Sequence, residues 1–368
     1  MASASREMLH PKEGMEEEEE GGSAAIKEDE EKKIASFLEE IKDLTILPSM
    51  LELEWDYMHS TTWMGWITCM SRKELRGIDL GDVRHYSDAE LCEFTNGYSE
   101  DNIFCLARNG RLFKARGYNN RKLAVRTLDA DIVLLRDPLI KSHPNFVKLI
   151  GYSCERKLAF VFDLDPKTRV HELLTSDDFG LDARMKVAMD FGRLLKFSHE
   201  NLIIYGSIDA KDIIIDQDSN VKFFDFGFHK RVKNKDEKIE AQSFYKDLGY
   251  YAPEAYKYPV GLWSMKSDVC AYGILLVNLV CKKQGAIWFW KLIKSGNVPV
   301  VSDSFQMDEH TKSGIIGLAM LCVNKDPTCR PDMGTVVENL ENLIANRSIV
   351  TRHGLIELDV ARTLVCSS

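Results

Sequence analysis

The sequence predicts an α+β chain folded as one two-lobed domain flanked by tails. Three observations carry that expectation. At 368 residues and 45% hydrophobic content the chain can bury a large core. From Tyr205 to Gly227 two short extended segments meet at a tight turn: the β-branched run Ile213-Ile214-Ile215, turn residues Gln217-Asp218-Ser219-Asn220, then Val221, Phe223 and Phe224. Ile34, Phe37, Leu38, Ile41 and Leu44 recur at helical spacing until Pro48 stops the pattern.

In chain order, residues 1–33 hold eleven acidic side chains against five basic ones and too little apolar surface to fold alone, so a disordered acidic tail is expected. Two thirds of the formal charge of −9 sits there, and no basic field points to nucleic acid. Residues 34–84 read as an extension whose amphipathic helix packs on the domain's own surface or binds a partner. The domain is expected over 85–346, with a C-terminal tail at 347–368. Nine cysteines without C-x-x-C spacing read as reduced thiols. The longest apolar stretch, Tyr272 to Cys281, is about half of a membrane span, and no secretory n-region and h-region open the chain. A cytoplasmic protein is expected. Met64-Gly65 would offer an acylated glycine, and hence peripheral attachment to the plasma membrane, only if translation started at Met64.

Tyr205 to Gly227 lies position by position over H-R-D-x-K-x-x-N-I-L-L-D…K-x-x-D-F-G, and so resembles the catalytic and metal-binding loops of a protein kinase. His85-Tyr86-Ser87-Asp88-Ala89-Glu90-Leu91 with Thr95-Asn96-Gly97-Tyr98-Ser99 resembles F-S-x-x-E-L-x-x-A-T-N-x-F-S, the entry to the kinase domain of plant receptor-like kinases. His143 to Tyr152 resembles the strand H-x-N-[LI]-V-x-L-x-G-[YC], and Leu158 to Asp163 the strand into the hinge. Gly249 to Glu254 resembles G-Y-x-A-P-E, Lys266 to Leu276 K-S-D-V-Y-S-[FY]-G-V-L-L, and Arg330 to Met333 R-P-x-M. These matches span 85–345 and resemble the receptor-like/Pelle kinases, in a cytoplasmic form without an ectodomain. The resemblance implies a small β-rich lobe with a helix αC, a larger helical lobe, a buried Glu254–Arg330 ion pair, and Asp268 as anchor of the catalytic loop.

The frame is kept while its chemistry is not. Tyr205-Gly206-Ser207 stands at His-Arg-Asp, and Ser207 has neither the charge nor the pKa of the base that accepts a substrate proton. Asp209 and Asp212 replace the catalytic-loop Lys and Asn. A carboxylate near phosphate is repulsive by about 1 kcal/mol at 4 Å in water and by more in a drier cleft. Asp212 and Asp225 retain oxygen ligands suited to magnesium. Of the three phosphate-loop glycines only Gly110 remains, with Cys105 and Ala107 at the other two places. Arg126 stands at the phosphate-pairing lysine, and a planar fork does not occupy a lysine's place. The αC glutamate is missing, Asp131 being its best stand-in. Leu112, Ala124 and Ile214 are apolar where adenine would be sandwiched, with Asp163 at the hinge, so a degenerate ATP site is expected. Gly206 removes the arginine that would meet a phosphorylated activation segment. His229 to Lys235 is a basic run, either a solvated face or a docking surface for an acidic partner.

The resemblance then implies a pseudokinase that binds protein partners, an active kinase or an intracellular immune receptor, requiring neither ATP nor magnesium. The alternative is a weak Ser/Thr kinase using Asp209, Asp212 or Asp225 in a rearranged site.

Overall fold

The computed structural model describes residues 83–107, 110–128, 143–155, 158–206, 208–224, 230–240, 250–256 and 261–353, with side chains of the last helix as far as 345. The expected helix at 34–44, the acidic tail, the αC region with Asp131, and Ser207 and Asp225 lie outside the described residues.

The smaller lobe is a six-stranded sheet in the order β1-β5-β6-β4-β3-β2. Its strands are β1 (Arg84–His85), β2 (Ile103–Ala107), β3 (Gly110–Arg116), β4 (Lys122–Leu128), β5 (Lys148–Ser153) and β6 (Leu158–Asp163). Side chains alternate between its faces, as the two-residue period of a strand requires. Leu123, Val125, Ala159 and Val161 point to one side, where helix α1 (Asp88–Phe94) covers them with Tyr86, Leu91 and Phe94. Leu112, Ala124, Leu149, Phe160 and Phe162 point to the other and join the core of the larger lobe.

The receptor-kinase entry motif has a local physical basis. Ser87 caps α1 and Glu90 completes a capping box: Ser87 N–H donates to Glu90 Oε2 at 2.7 Å and Glu90 N–H to Ser87 Oγ at 3.2 Å. Glu90 also accepts from the Tyr118 hydroxyl at 2.6 Å and from Arg84 at 2.7 Å. Those bonds, led by that from Tyr118, bring its carboxyl pKa down to about 2. One acid thus fastens the entry strand, its helix and the β3–β4 turn together. β1 runs parallel to β5, pairing Arg84 with Gly151 and His85 with Tyr152. A side chain at Gly151 would meet the Tyr86 ring at 2.1 Å, so only glycine lets the entry strand lie there.

The larger lobe is built around α4 (Met265–Cys281), apolar on every side and buried from Ser267 to Cys281. It is preceded by α2 (Val170–Leu173) and α3 (Leu181–Glu200), and followed by α5 (Ile287–Lys294), α6 (Glu309–Cys322) and α7 (Met333–His353). The last helix runs on to His353, because nothing in that stretch breaks a helix. Strands β7 (Pro166–Arg169), β9 (Ile213–Asp216) and β10 (Val221–Phe223) form a three-stranded sheet beside it, with β8 (Ile203–Ile204) and β11 (Lys230–Arg231) as a further pair.

Glu254 and Arg330 are partners. Arg330 donates to both carboxylate oxygens at 2.7 and 2.8 Å and to the carbonyls of Asn324 and Lys266, while Ser267 Oγ donates to Glu254 at 2.8 Å. The Arg330 side chain has no exposed surface. We expect Arg330→Ala to lower unfolding stability in urea by about 3–5 kcal/mol, since it strands Glu254 and three carbonyls. An unchanged midpoint would mean that this pair does not tie Glu254 to the lobe.

Candidate functional site

The expected catalytic loop hangs from one buried carboxylate. Asp268, from the first turn of α4, accepts the backbone N–H of Tyr205 at 2.9 Å and of Gly206 at 2.7 Å, and its Oδ2 lies 3.0 Å from His199 Nε2. Tyr205 is a core residue: its hydroxyl lies 3.0 Å from Ser198 Oγ, and its ring meets Phe223 edge-on at 5.1 Å. Burial raises the Tyr205 phenol well above its ordinary pKa, so it stays protonated.

Gly206 holds φ +74°, and a Cβ there would fall 2.3 Å from Cε3 of Trp263. Trp263, 2% exposed, therefore covers the place where an arginine side chain would leave the loop. It sits in β13 (Leu262–Trp263), which pairs with β12 (Ile239–Glu240), and its ring lies 5.9 Å from that of Tyr251. Ile204, Val232, Tyr251 and Met265 complete an apolar cluster around it. Val232 N–H donates to Leu202 O at 2.8 Å beside the β8–β11 pair. The segment that follows Asp225-Phe226-Gly227 is thus fastened to the loop by packing and backbone bonds.

Asp209 and Asp212 come together in a buried turn. Asp209 accepts the Lys211 N–H at 2.9 Å, and Asp209 N–H donates to Asp212 Oδ2 at 3.2 Å. They are 4% and 5% exposed. Both act on nearby Tyr250, whose phenol pKa is raised first by burial and further by the two acids. His171, on α2, is driven toward the neutral form by burial against an opposing pull from Asp209.

Arg126 is buried on β4 and donates from Nη1 to the Phe224 carbonyl at 3.0 Å, bridging the sheet to the residue before Asp225. Leu112, Ala124 and Ile214 meet in one continuous core and have no exposed surface. Ala107 pairs with Gly110 across the β2–β3 hairpin, and Gly110 takes φ +140°, a conformation that favours glycine. Asp163, expected at the nucleotide site, pairs with Arg121 at 2.8 Å, and Asp165 with Lys122 at 2.6 Å. These half-exposed pairs contribute at most about 1 kcal/mol each but brace β4 against the hinge. Among the described residues no group of three His, Cys, Asp or Glu side chains is placed to hold a metal ion.

Trp263 and the hinge ion pairs are missed by motif reading. Only the coincidence of a lost side chain at Gly206 and a bulky residue just before α4 hints at the first; nothing local signals the second.

The model of protein tyrosine and serine/threonine kinases matches residues 127–340. The chain is 26% identical over 293 residues to Arabidopsis thaliana cysteine-rich receptor-like protein kinase 31, covering 67% of this chain and 42% of that one. To Receptor like protein kinase S.3 of the same plant it is 24% identical over 286 residues, covering 70% of this chain and 82% of the relative. The chain thus spans less than half the length of the first relative. A solved structure, the pseudokinase domain of BIR2, an immune regulator of the RLK/Pelle family, has a TM-score of 0.56 at 22% identity, covering 77% of this chain and 98% of that one. The architecture is kinase-like, as the resemblance implies.

Gly206→Arg should destabilise the fold by at least about 2 kcal/mol, through the collision with Trp263 and the positive φ. In a Trp263→Ala background the same change should cost less, by about 0.5–3 kcal/mol in a double-mutant cycle read from urea unfolding. Additive effects would show that the indole does not fill that space.

Proposed function

Because the chain belongs to the protein tyrosine and serine/threonine kinase family, we propose that it is a pseudokinase that acts as a protein-binding scaffold in plant receptor-kinase or immune signalling. The observation that carries this is the buried Asp209–Asp212 turn. Two acids stand where one lysine and one amide would neutralise and hold a phosphate–metal group, and each is engaged with backbone N–H groups of the same turn. Phosphoryl transfer depends on positioning and electrostatic stabilisation, so negative charge at that point opposes the reaction itself.

The residues present do not fit ATP with magnesium. Arg126 is turned to the Phe224 carbonyl, Leu112, Ala124 and Ile214 are covered by protein, and Asp212 is bound into its own turn. The partner is then a protein, an active kinase or an intracellular immune receptor, and the input is modification of the scaffold. The relatives are receptor-like kinases and BIR2 is an immune regulator, which supports that setting. The cytoplasm is its proposed location; among the described residues no helix is long and apolar enough to cross a membrane.

Radiolabel transfer to a basic protein substrate tests this. The unmodified chain and Ser207→Asp should both be inactive, since the single change adds a further acid beside Asp209 and Asp212. Activity should emerge, if at all, only when Ser207→Asp is combined with Asp209→Lys, Asp212→Asn and Arg126→Lys, because residues of a catalytic unit act non-additively. Turnover by the unmodified chain that Asp225→Asn abolishes would establish a weak kinase instead.

A further inference from the structure

The activation segment carries a cationic face on a fixed backbone. Lys230, Arg231, Lys233, Lys235 and Lys238 are exposed, whereas Val232 between them is buried in the Trp263 cluster. The β8–β11 pair and the Val232–Leu202 bond hold the start of this run, and Arg231 Nη1 bonds the Asn201 carbonyl at 3.3 Å. Downstream, Glu237 folds back to accept the Lys233 N–H at 2.5 Å, closing a tight loop. From Lys230 to Lys235 there is no acid, and only Asp236 and Glu237 intervene before Lys238, so the stretch carries five cations against two acids.

The same chain contains a segment of opposite charge. Glu16 to Glu20 and Glu28-Asp29-Glu30-Glu31 place nine carboxylates within sixteen residues, against a single lysine, Lys27. We propose that this N-terminal acidic segment docks in cis on the Lys230–Lys238 face. Reach does not forbid it. About 50 residues separate the acidic segment from β1, and even wound throughout as helix, at about 1.5 Å per residue, they would span roughly 75 Å. A domain of about 260 residues has a radius of gyration of about 18 Å. Tethering raises the local concentration of the segment to the millimolar range, which many weak ion pairs can use together. Exposed charges are screened beyond about 8 Å at physiological salt, so the contact is close-range and salt-sensitive. A docked tail covers the surface that an acidic partner would use, and such a partner binds by displacing it.

Carbodiimide cross-linking of the full chain, read by mass spectrometry on a mixture of light- and heavy-isotope protein, tests the proposal. Amides joining Glu16–Glu20 or Glu28–Glu31 to Lys230, Lys233 or Lys235 should exceed those to the exposed Lys114 and Lys283 several-fold. They should be wholly light or wholly heavy, and should fall several-fold in 0.5 M salt. Lys230→Glu with Lys233→Glu and Lys235→Glu should return links to the remaining Lys238 to the level of Lys114 and Lys283. Equal linking of all exposed lysines, mixed-isotope links that mark docking between copies, or preferential linking to Lys238 that survives the triple change would each overturn it.

Discussion

A single buried carboxylate sets the geometry on which the rest of this site depends. Asp268 has no exposed side-chain surface and would be costly to bury alone, yet it is satisfied by two backbone N–H donors and lies beside His199. Since it stands on the wholly buried α4, it fixes the path of Tyr205 and Gly206 against the most rigid element of the larger lobe. That path would present a catalytic base at Ser207. Asp268 stands at the anchor's place in the kinase frame while Ser207 stands at the base's.

The residues that depart from the kinase frame do structural work. Tyr205 fills core between Ser198 and Phe223. Gly206 admits the Trp263 indole, and the apolar cluster around it takes in Val232 and Tyr251. Asp209 and Asp212 cap one another's turn, and Arg126 reaches a backbone carbonyl. Each of these residues adds packing or a hydrogen bond, so replacing it would disturb the fold as well.

Much of the fold was legible because its signals are local or belong to long fixed frames. Ser87 and Glu90 spell a capping box, and Ile213 to Phe223 spells the hairpin that β9 and β10 form. Glu254 and Arg330 were paired through the kinase resemblance rather than by spacing, and they meet as that resemblance implies. What escaped is long-range. The parallel strand β1 is two residues long, too short for any period, and is specified by the Tyr86 ring over Gly151. The Trp263–Gly206 contact joins positions far apart in sequence and leaves no pattern in either neighbourhood. Arg126 stands at the lysine's place in the kinase frame, and only its position on the inner face of β4 decides that it is buried.

The proposed scaffold takes no nucleotide, since Leu112, Ala124 and Ile214 have no exposed surface. Thermal unfolding of the full chain with millimolar ATP, with and without magnesium or manganese, tests it most directly. A ligand present at 100 times its dissociation constant would add about 2.7 kcal/mol of stability. The covered Leu112, Ala124 and Ile214 and the acidic Asp209–Asp212 turn predict no change in midpoint under either condition. A rise of several degrees, larger with the metal, would contradict the account and show that the cleft still opens to nucleotide.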